Sequence, residues 1–138
     1  MNPIYVFDAC ALIAVLSKES GWEHVEAILK KAKNKQARIV MHALTLYEVY
    51  YNICMMYNES LALQFLEKIE KSPIELNTEI TKEMIIKAGK LKGHYKMSLA
   101  DSIGLAQTIL SNGSFVTADH HELDIVDEHE NINFTWIR

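Results

Sequence analysis

The sequence predicts an α/β fold in which a parallel β-sheet is covered by helices on both faces. Short apolar runs without polar alternation, such as Ile4 to Phe7, are typical of strands buried on both sides. These runs alternate with stretches of helical periodicity, as crossovers between parallel strands require. The length of 138 residues suits one core, so we expect a single domain over residues 1–138.

The first part of the chain supplies two strands and the helices between them. Ile4 to Phe7 is the first strand, and the small and apolar residues from about Ala9 to Leu16 favour a helix after it. Ser20 and Glu23 have the spacing of a capping box, which predicts Ser20 as the N-cap of an amphipathic helix. The apolar segment from Ala37 to Met41 is the second strand.

The rest of the chain repeats this alternation. Helical patterns extend from Ala43 to about Tyr57, Ser60 to Lys71, Thr81 to Lys92 and Leu99 to Leu110. Apolar strands are predicted at Ile74 to Leu76, at Ser114 to Ala118 after the turn Asn112-Gly113, and at Ile132 to Ile137. An open parallel sheet of this kind forms its sites outside the carboxyl ends of the strands.

Composition and charge argue against several classes of function. The formal net charge of -4 disfavours a dedicated duplex-binding module, although two divalent cations would add 2 × 2 = +4. There is no basic leader region and no apolar run near the roughly 20 residues that a membrane span needs. Cys10 and Cys54 lack CxxC spacing and are expected to be reduced thiols. We therefore expect a cytoplasmic protein.

Four acidic residues occupy positions that could bring them to one edge of the sheet. Asp8 follows the first strand and Asp119 follows the fourth, while Asp101 and Glu48 lie early in two helices. Taken alone, Asp8 and Asp119 are better explained as helix N-caps, and Asp101 as the N3 acid of a box capped by Ser98.

Glu48 is the acid that capping does not explain. It lies between Tyr47 and Val49 in an apolar helix with no lysine within a turn, and an unpaired buried acid is costly. A shared cation would neutralise it together with the other three acids. All-oxygen ligation suits Mg²⁺ or Mn²⁺, which also bind phosphate and activate water. The constellation therefore predicts metal-dependent phosphodiester hydrolysis.

In their sequence context the four acids resemble those of the PIN domain family, specifically the stand-alone toxins of the VapC type. The resemblance rests on "DACALI" with Asp8, "TLYEVYYN" with Glu48, "SLADSIGLAQTIL" with Asp101 and "VTADHHELDIV" with Asp119, and it covers nearly the whole chain. It implies a PIN-like three-layer fold whose central five-stranded parallel sheet has the order 3-2-1-4-5.

The resemblance also implies an activity. Family members of this type are endoribonuclease toxins that need Mg²⁺ or Mn²⁺, one or two ions, and cleave structured RNA such as tRNA or ribosomal RNA. It further implies homodimers and inhibition by a cognate antitoxin. Asp8, Glu48 and Asp101 match the three acids that surround the metal and Asp119 matches the more variable fourth, so all four are expected to be catalytic metal ligands.

Other residues are assigned supporting roles by the same resemblance. Thr117 matches a Ser or Thr whose hydroxyl orients an acid, whereas Cys10 stands where the family often has Ser or Thr. A thiol is a weaker donor than a hydroxyl, so the support of Asp8 is expected to differ there. Apart from the resemblance, Lys92, Lys96 and Arg38 are candidates for contacts with RNA, although a solvated basic face is the better explanation of each lysine.

Several alternatives remain open from the sequence. A catalytically silent PIN fold that binds RNA or protein would keep the architecture but bind no ion. His120 and His121 are adjacent on a helix, point about 100° apart and are better explained as exposed side chains than as ligands of one metal. The apolar segment from Tyr50 to Leu66 is explained by core packing, or by a groove for an antitoxin helix.

Overall fold

A computed structural model of the protein describes residues 2–138, with five strands and seven helices in that range. The strands are β1 (Ile4–Phe7), β2 (Arg38–His42), β3 (Ile74–Asn77), β4 (Ser114–Thr117) and β5 (Asn133–Trp136). The helices are α1 (Ala9–Ser17), α2 (Trp22–Lys33), α3 (Ala43–Met56), α4 (Glu59–Glu70), α5 (Lys82–His94), α6 (Leu99–Ser111) and α7 (His120–His129). None of these helices has the length and apolar character needed to cross a bilayer. The helix α7 is an addition to those that the periodicity predicts.

The five strands form one parallel sheet in the order β3-β2-β1-β4-β5. This confirms both the predicted α/β class and the strand order that the resemblance implies. The sheet grows in one direction from β1 to β3 and then in the other from β4 to β5, so the order reverses between β1 and β4. Phe7 pairs with Val116 across this junction. The residues that follow β1 and β4 therefore leave the sheet side by side.

Both faces of the sheet are buried, as the uninterrupted apolar strands predict. Val6 and Phe115 contribute to one core, together with residues of α6 and α7. Phe7 and Val116, the next residue in each strand, contribute to the other core, with residues of α1, α2 and α3. Alternate residues of a strand point to opposite faces, so a strand covered on both sides must be apolar throughout.

The start of α2 differs from the predicted capping box. Gly21, not Ser20, is the N-cap, and no side chain caps this helix. Gly21 has φ +94°, and a Cβ there would collide with the backbone carbonyl of Ile137. The chain end after β5 passes so close to this turn that only glycine fits. The prediction for Ser20 was wrong because this approach comes from residues more than a hundred positions away.

The start of α3 is fixed by a buried histidine. His42 is the N-cap: its Nδ1 accepts a hydrogen bond from the Leu44 amide at 3.1 Å. Its Nε2 lies 2.8 Å from the carbonyl oxygen of Glu79, to which it donates. Since a carbonyl only accepts and Nδ1 is already an acceptor, these two contacts define the neutral Nε2–H tautomer. The imidazole thereby ties the helix that carries Glu48 to the segment after β3.

Candidate metal centre

Asp8 lies at the carboxyl end of the central strand β1. It is the N-cap of α1, and its Oδ1 accepts a hydrogen bond from the Ala9 amide at 2.6 Å. Its Oδ2 accepts a hydrogen bond from the Thr117 hydroxyl at 2.7 Å. The side chain is only 4% exposed. The predicted cap is confirmed, yet the cap uses a single oxygen of a carboxylate that faces the strand junction.

Asp101 lies beside Asp8 in the first turn of α6. Its amide donates to the Ser98 hydroxyl oxygen at 3.0 Å, as expected for the third residue of a capped helix. The residue is 7% exposed, and its carboxyl group is in hydrogen-bond contact with that of Asp8. Burial first, and then the charge of Asp8, raise the pKa of Asp101 to about 9. The pKa of Asp8 is also raised, mainly by burial. In the absence of a cation, these raised pKa values favour a proton on the pair at neutral pH.

Glu48 approaches this pair from α3. It is half-buried, and its pKa is raised first by burial and then by the negative charge of Asp8. The charge of Glu48 in turn helps to raise the pKa of Asp101. These mutual effects place the three carboxyl groups within electrostatic range of one another. Acids that were 40 or more positions apart in the sequence are thus neighbours in the fold.

Asp119 reaches the same edge from the end of β4. It is the N-cap of α7, and its Oδ1 accepts a hydrogen bond from the Glu122 amide at 3.2 Å. Its own amide donates to the Thr117 hydroxyl oxygen at 3.1 Å. Thr117 therefore donates to Asp8 and accepts from Asp119, so one buried hydroxyl links the ends of β1 and β4.

Glu122, three residues after Asp119, is a further acid at this edge, and it is absent from the acids that the sequence predicts as ligands. One carboxylate oxygen from each of Asp101, Asp119 and Glu122 lies within 4.8 Å of the others. A helix N-cap and the residue three positions after it lie on the same turn of the helix. The spacing of Asp119 and Glu122 in "DHHE" could therefore have indicated Glu122 as a ligand. With it the acidic centre comprises five residues: Asp8, Glu48, Asp101, Asp119 and Glu122.

The donors of the acidic centre fit a hard divalent cation. All are carboxylate oxygens, the ligands that Mg²⁺ and Mn²⁺ prefer. Within residues 2–138, no Lys, Arg or His side chain forms an ion pair with any of the five acids. Acids that repel one another in a buried pocket are stabilised by a bound cation, and nothing in the described chain supplies that positive charge. Asp101 lies next to Asp8 on one side and to Asp119 and Glu122 on the other.

Cys10 contacts the first acid of the centre. Its thiol lies beside the Asp8 carboxyl group and helps to lower the pKa of that group against the effect of burial. Burial, followed by the charge of Asp8, raises the pKa of Cys10 to about 12. The side chain is thus a neutral donor in the place where the resemblance expects a hydroxyl.

The basic residues proposed from sequence lie in different places. Lys92 donates to the carbonyl oxygen of Met97 at 2.9 Å, in the segment that leads to Asp101, and Lys96 is exposed in the same segment. Arg38 opens β2 at the amino edge of the sheet, opposite the acids, and forms a two-pronged ion pair with Glu75 at 2.7 and 2.9 Å. The geometry brings Lys92 and Lys96 to the side of the centre but not Arg38.

The histidines next to Asp119 do not join the acids. Both are exposed, as expected. His120 stacks on Trp136 with ring centroids 3.9 Å apart, and its nitrogens contact Asp124 and the carbonyl of Arg138 at 2.7 Å each. These contacts use both ring nitrogens, so the ring has no free ligand atom.

The PIN domain family model matches residues 5–128. The chain belongs to the PIN domain family. Comparison with the curated proteins by sequence found no match. The fold is similar to that of several solved structures, all at low sequence identity, so the likeness concerns the PIN architecture alone.

Four of these structures are described as a toxin–antitoxin complex or VapBC, and three of them illustrate the likeness. DNA-bound VapBC from Salmonella typhimurium has a TM-score of 0.74 and 14% identity, with 100% of each chain covered. VapBC2 from Rickettsia felis, bound to a DNA fragment from the promoter, has a TM-score of 0.71 and 17% identity over 96% of this chain and 97% of that one. A toxin–antitoxin complex from Klebsiella pneumoniae has a TM-score of 0.68 and 17% identity over 97% and 98%.

The hydroxyl of Thr117 provides a direct test of how this PIN domain supports its acids. We expect Thr117→Val to weaken Mn²⁺ binding about 10- to 100-fold, because removal of a group that orients a ligand has effects of this size. Thr117→Ser keeps the donor and acceptor and should bind Mn²⁺ as the wild type does. Isothermal titration of both variants gives the comparison. Equal affinity of the valine and serine variants would show that the hydroxyl does not orient Asp8.

Proposed function

We propose that this PIN domain protein is a VapC-type toxin of a toxin–antitoxin module, an endoribonuclease that cleaves structured RNA such as tRNA or ribosomal RNA in the cytoplasm. The observation that carries the proposal is the buried pair Asp8 and Asp101. Their carboxyl groups lie against each other, have raised pKa values and lack a basic partner among the described residues. A structural role would be served better by a paired or neutral group.

Mg²⁺ or Mn²⁺ is the proposed cofactor. Asp8, Asp101 and Glu48 would hold one ion, and Asp101, Asp119 and Glu122 have the proximity to hold a second. Such an ion supplies water activation and neutralises charge on the phosphate when it is bound. The chain itself orients the ligands: the Thr117 hydroxyl and the Ala9 amide fix both oxygens of Asp8, and the Ser98 cap fixes the turn that carries Asp101.

RNA is the proposed substrate, with few direct basic contacts. Lys96 is exposed beside the turn that leads to Asp101, and Lys92 braces that turn through its bond to Met97. The low number of basic residues near the centre supports recognition of an RNA by folded shape and unpaired bases, which needs fewer phosphate contacts than duplex binding.

An antitoxin and a second copy of the chain are the proposed protein partners. A groove of about 190 Å³ between α1, α3 and α4 is lined by Leu16, Ile53, Tyr57, Leu61 and Phe65, and it suits the apolar face of an antitoxin helix. The exposed side chains of Ile85 and Ile86 on α5 offer an apolar surface for a homodimer. The structural relatives described as toxin–antitoxin complexes support the first partner.

Cleavage of RNA by the purified protein tests the proposed activity. We expect incubation of total RNA with the protein and Mn²⁺ to give discrete fragments with 5′-phosphate and 3′-hydroxyl ends, mapped by sequencing, and no fragments when EDTA replaces the ion. Asp8→Asn is the control for a contaminating nuclease, because it alters one ligand of the proposed centre. Wild-type cutting by that variant would contradict the assignment.

A catalytically silent PIN fold is the alternative. Such a protein would keep the sheet and the partner surfaces but bind no divalent cation. Isothermal titration with Mn²⁺ separates the two, since the proposed enzyme should release heat on saturation and the silent fold should not. Titration after removal of bound metal with EDTA avoids a false negative from a preloaded centre.

A further inference from the structure

A cavity of about 280 Å³ opens directly beside the acidic centre. Its lining includes Leu44, Tyr47, Glu48, Tyr51, Ser98 and Leu99. Glu48 belongs to both the cavity and the centre, and Ser98 caps the helix that carries Asp101. Whatever occupies this cavity is therefore next to the phosphate that the centre would cleave.

Two tyrosines form the open side of this cavity. Tyr47 is 63% exposed and Tyr51 is 39% exposed, a large apolar area for side chains in the middle of a helix. They are one helical turn apart, and their rings meet edge to face with centroids 5.4 Å apart at 63°. Each ring helps to fix the orientation of the other, and the exposed area of both rings remains available to a flat partner.

The charge of the lining indicates which part of an RNA would enter. No Lys or Arg lines the cavity, and Glu48 carries the only acidic group on its wall. A phosphate would be repelled there, whereas a neutral aromatic ring gains from the apolar and tyrosine surfaces. Aromatic side chains that hold unstacked bases are the usual means by which proteins recognise unpaired RNA.

We propose that this cavity binds an unpaired nucleobase adjacent to the scissile phosphate, with Tyr47 and Tyr51 as the residues that stack on it. This inference rests on the proposed function and extends it to the selection of the cleavage site. The continuity with Glu48 decides between occupants, because an RNA strand spans the cavity and the centre in one step of its backbone.

Cleavage of a hairpin RNA whose loop is randomised measures this selection. Sequencing of the cut ends should show a base preference at one position beside the cut for the wild type in Mn²⁺. Tyr47→Ala and Tyr51→Ala should flatten that preference and raise KM about tenfold, the size expected for loss of one stacking contact, while Tyr47→Phe retains both. Met55→Ala is the control, since Met55 is a large apolar side chain on the same helix, is 76% exposed and lies outside the cavity.

A binding measurement separates this inference from the proposed activity. In an Asp101→Asn background, a fluorescent hairpin of the preferred loop sequence should bind about tenfold more weakly when Tyr47 is replaced by alanine. Replacement of the preferred base by an abasic nucleotide should weaken RNA binding by the Asp101→Asn protein. The same replacement should leave RNA binding by the Asp101→Asn, Tyr47→Ala protein unchanged. The affinity for Mn²⁺, measured by titration, should be equal for the wild type and Tyr47→Ala.

Three outcomes would overturn the inference. An unchanged base preference beside the cut and an unchanged affinity for the hairpin RNA in both alanine variants would show that the cavity holds no base. A change from dimer to monomer in Tyr47→Ala, at unchanged loop preference, would assign the tyrosines to an interface between copies. Loss of Mn²⁺ binding in Tyr47→Ala would assign them to the support of Glu48. Failure of the wild type to cut any RNA would contradict the proposed function. Binding of the hairpin with the randomised loop to Asp101→Asn, with and without Tyr47→Ala, would then decide the cavity.

Discussion

Asparagine in place of Asp101 should strongly reduce RNA cleavage and, in the metal-free protein, raise the melting temperature. Asp101 lies between the two groups of acids, so its loss removes a ligand from both. A decrease of about 10²- to 10³-fold in kcat is expected, as for removal of one preorganised electrostatic group at a reacting phosphate or carbonyl. The rate is measured on the RNA identified by end mapping, at saturating Mn²⁺.

The opposite effect on stability follows from the proton that the raised pKa values favour on Asp8 and Asp101. An asparagine amide can donate to Asp8 without a proton from solvent, and it removes one negative charge from a buried cluster. A decrease of about 1 kcal/mol in the repulsion between the buried acids would raise the melting temperature by about 3 °C in a chain of this size. Asp124→Asn is the control, because Asp124 is exposed on α7 and its only ion pair is with His120. A variant that loses stability as well as activity would show that Asp101 serves the fold.

Stability of the metal-free protein should fall as the pH rises from about 4 to about 9, and Mn²⁺ should reverse this trend. The pKa of Asp101 is raised from 3.8 to about 9, so the folded state binds more protons than the unfolded state across this range. Stability contributed by the protonated acid is complete below pH 4 and is lost as the pH passes through the folded pKa. Asp8 and Glu48 act in the same direction.

Binding of Mn²⁺ displaces the proton from Asp8 and Asp101, so its affinity should increase about tenfold per pH unit near neutrality, for one proton released per ion. An ion concentration 100 times the Kd should stabilise the protein by about 2.7 kcal/mol. Thermal melts at pH 5, 7 and 8.5, with EDTA and with Mn²⁺, give both trends, and Asp101→Asn should flatten the pH dependence of affinity. An affinity independent of pH would show that the ion binds away from Asp8 and Asp101.

The strands and the four predicted acids could be anticipated because they follow from local pattern and one topological rule. Apolar runs such as Ile4–Phe7 are buried on both faces, and the carboxyl ends of parallel strands share an edge. The same rule applied to Arg38 would have placed it at the opposite edge, since it begins a strand. Its proposed contact with RNA came from charge alone, without regard to strand direction.

The parts that could not be anticipated depend on contacts between distant segments. Gly21 replaces Ser20 as the cap because the backbone of Ile137 occupies the space of a side chain there. Glu122 joins the acids because the cap at Asp119 orients the first turn of a helix that periodicity did not predict. The raised pKa of Asp101 likewise has no sequence signal, since it comes from burial and from Asp8, 93 positions earlier.

The hydrogen bond from Thr117 to Asp8 also has a consequence for synthesis. It joins residues 109 positions apart, and β4, which carries Thr117, is the fourth of five strands to leave the ribosome. A nascent chain already contains Asp8, Glu48 and Asp101, but one edge of β1 stays unpaired until β4 has been made and pairs with it. Long-range strand pairing is a slow and late step of folding. If the chain is the ribonuclease proposed above, the support of Asp8 and therefore its activity are complete only after most of the chain has been made.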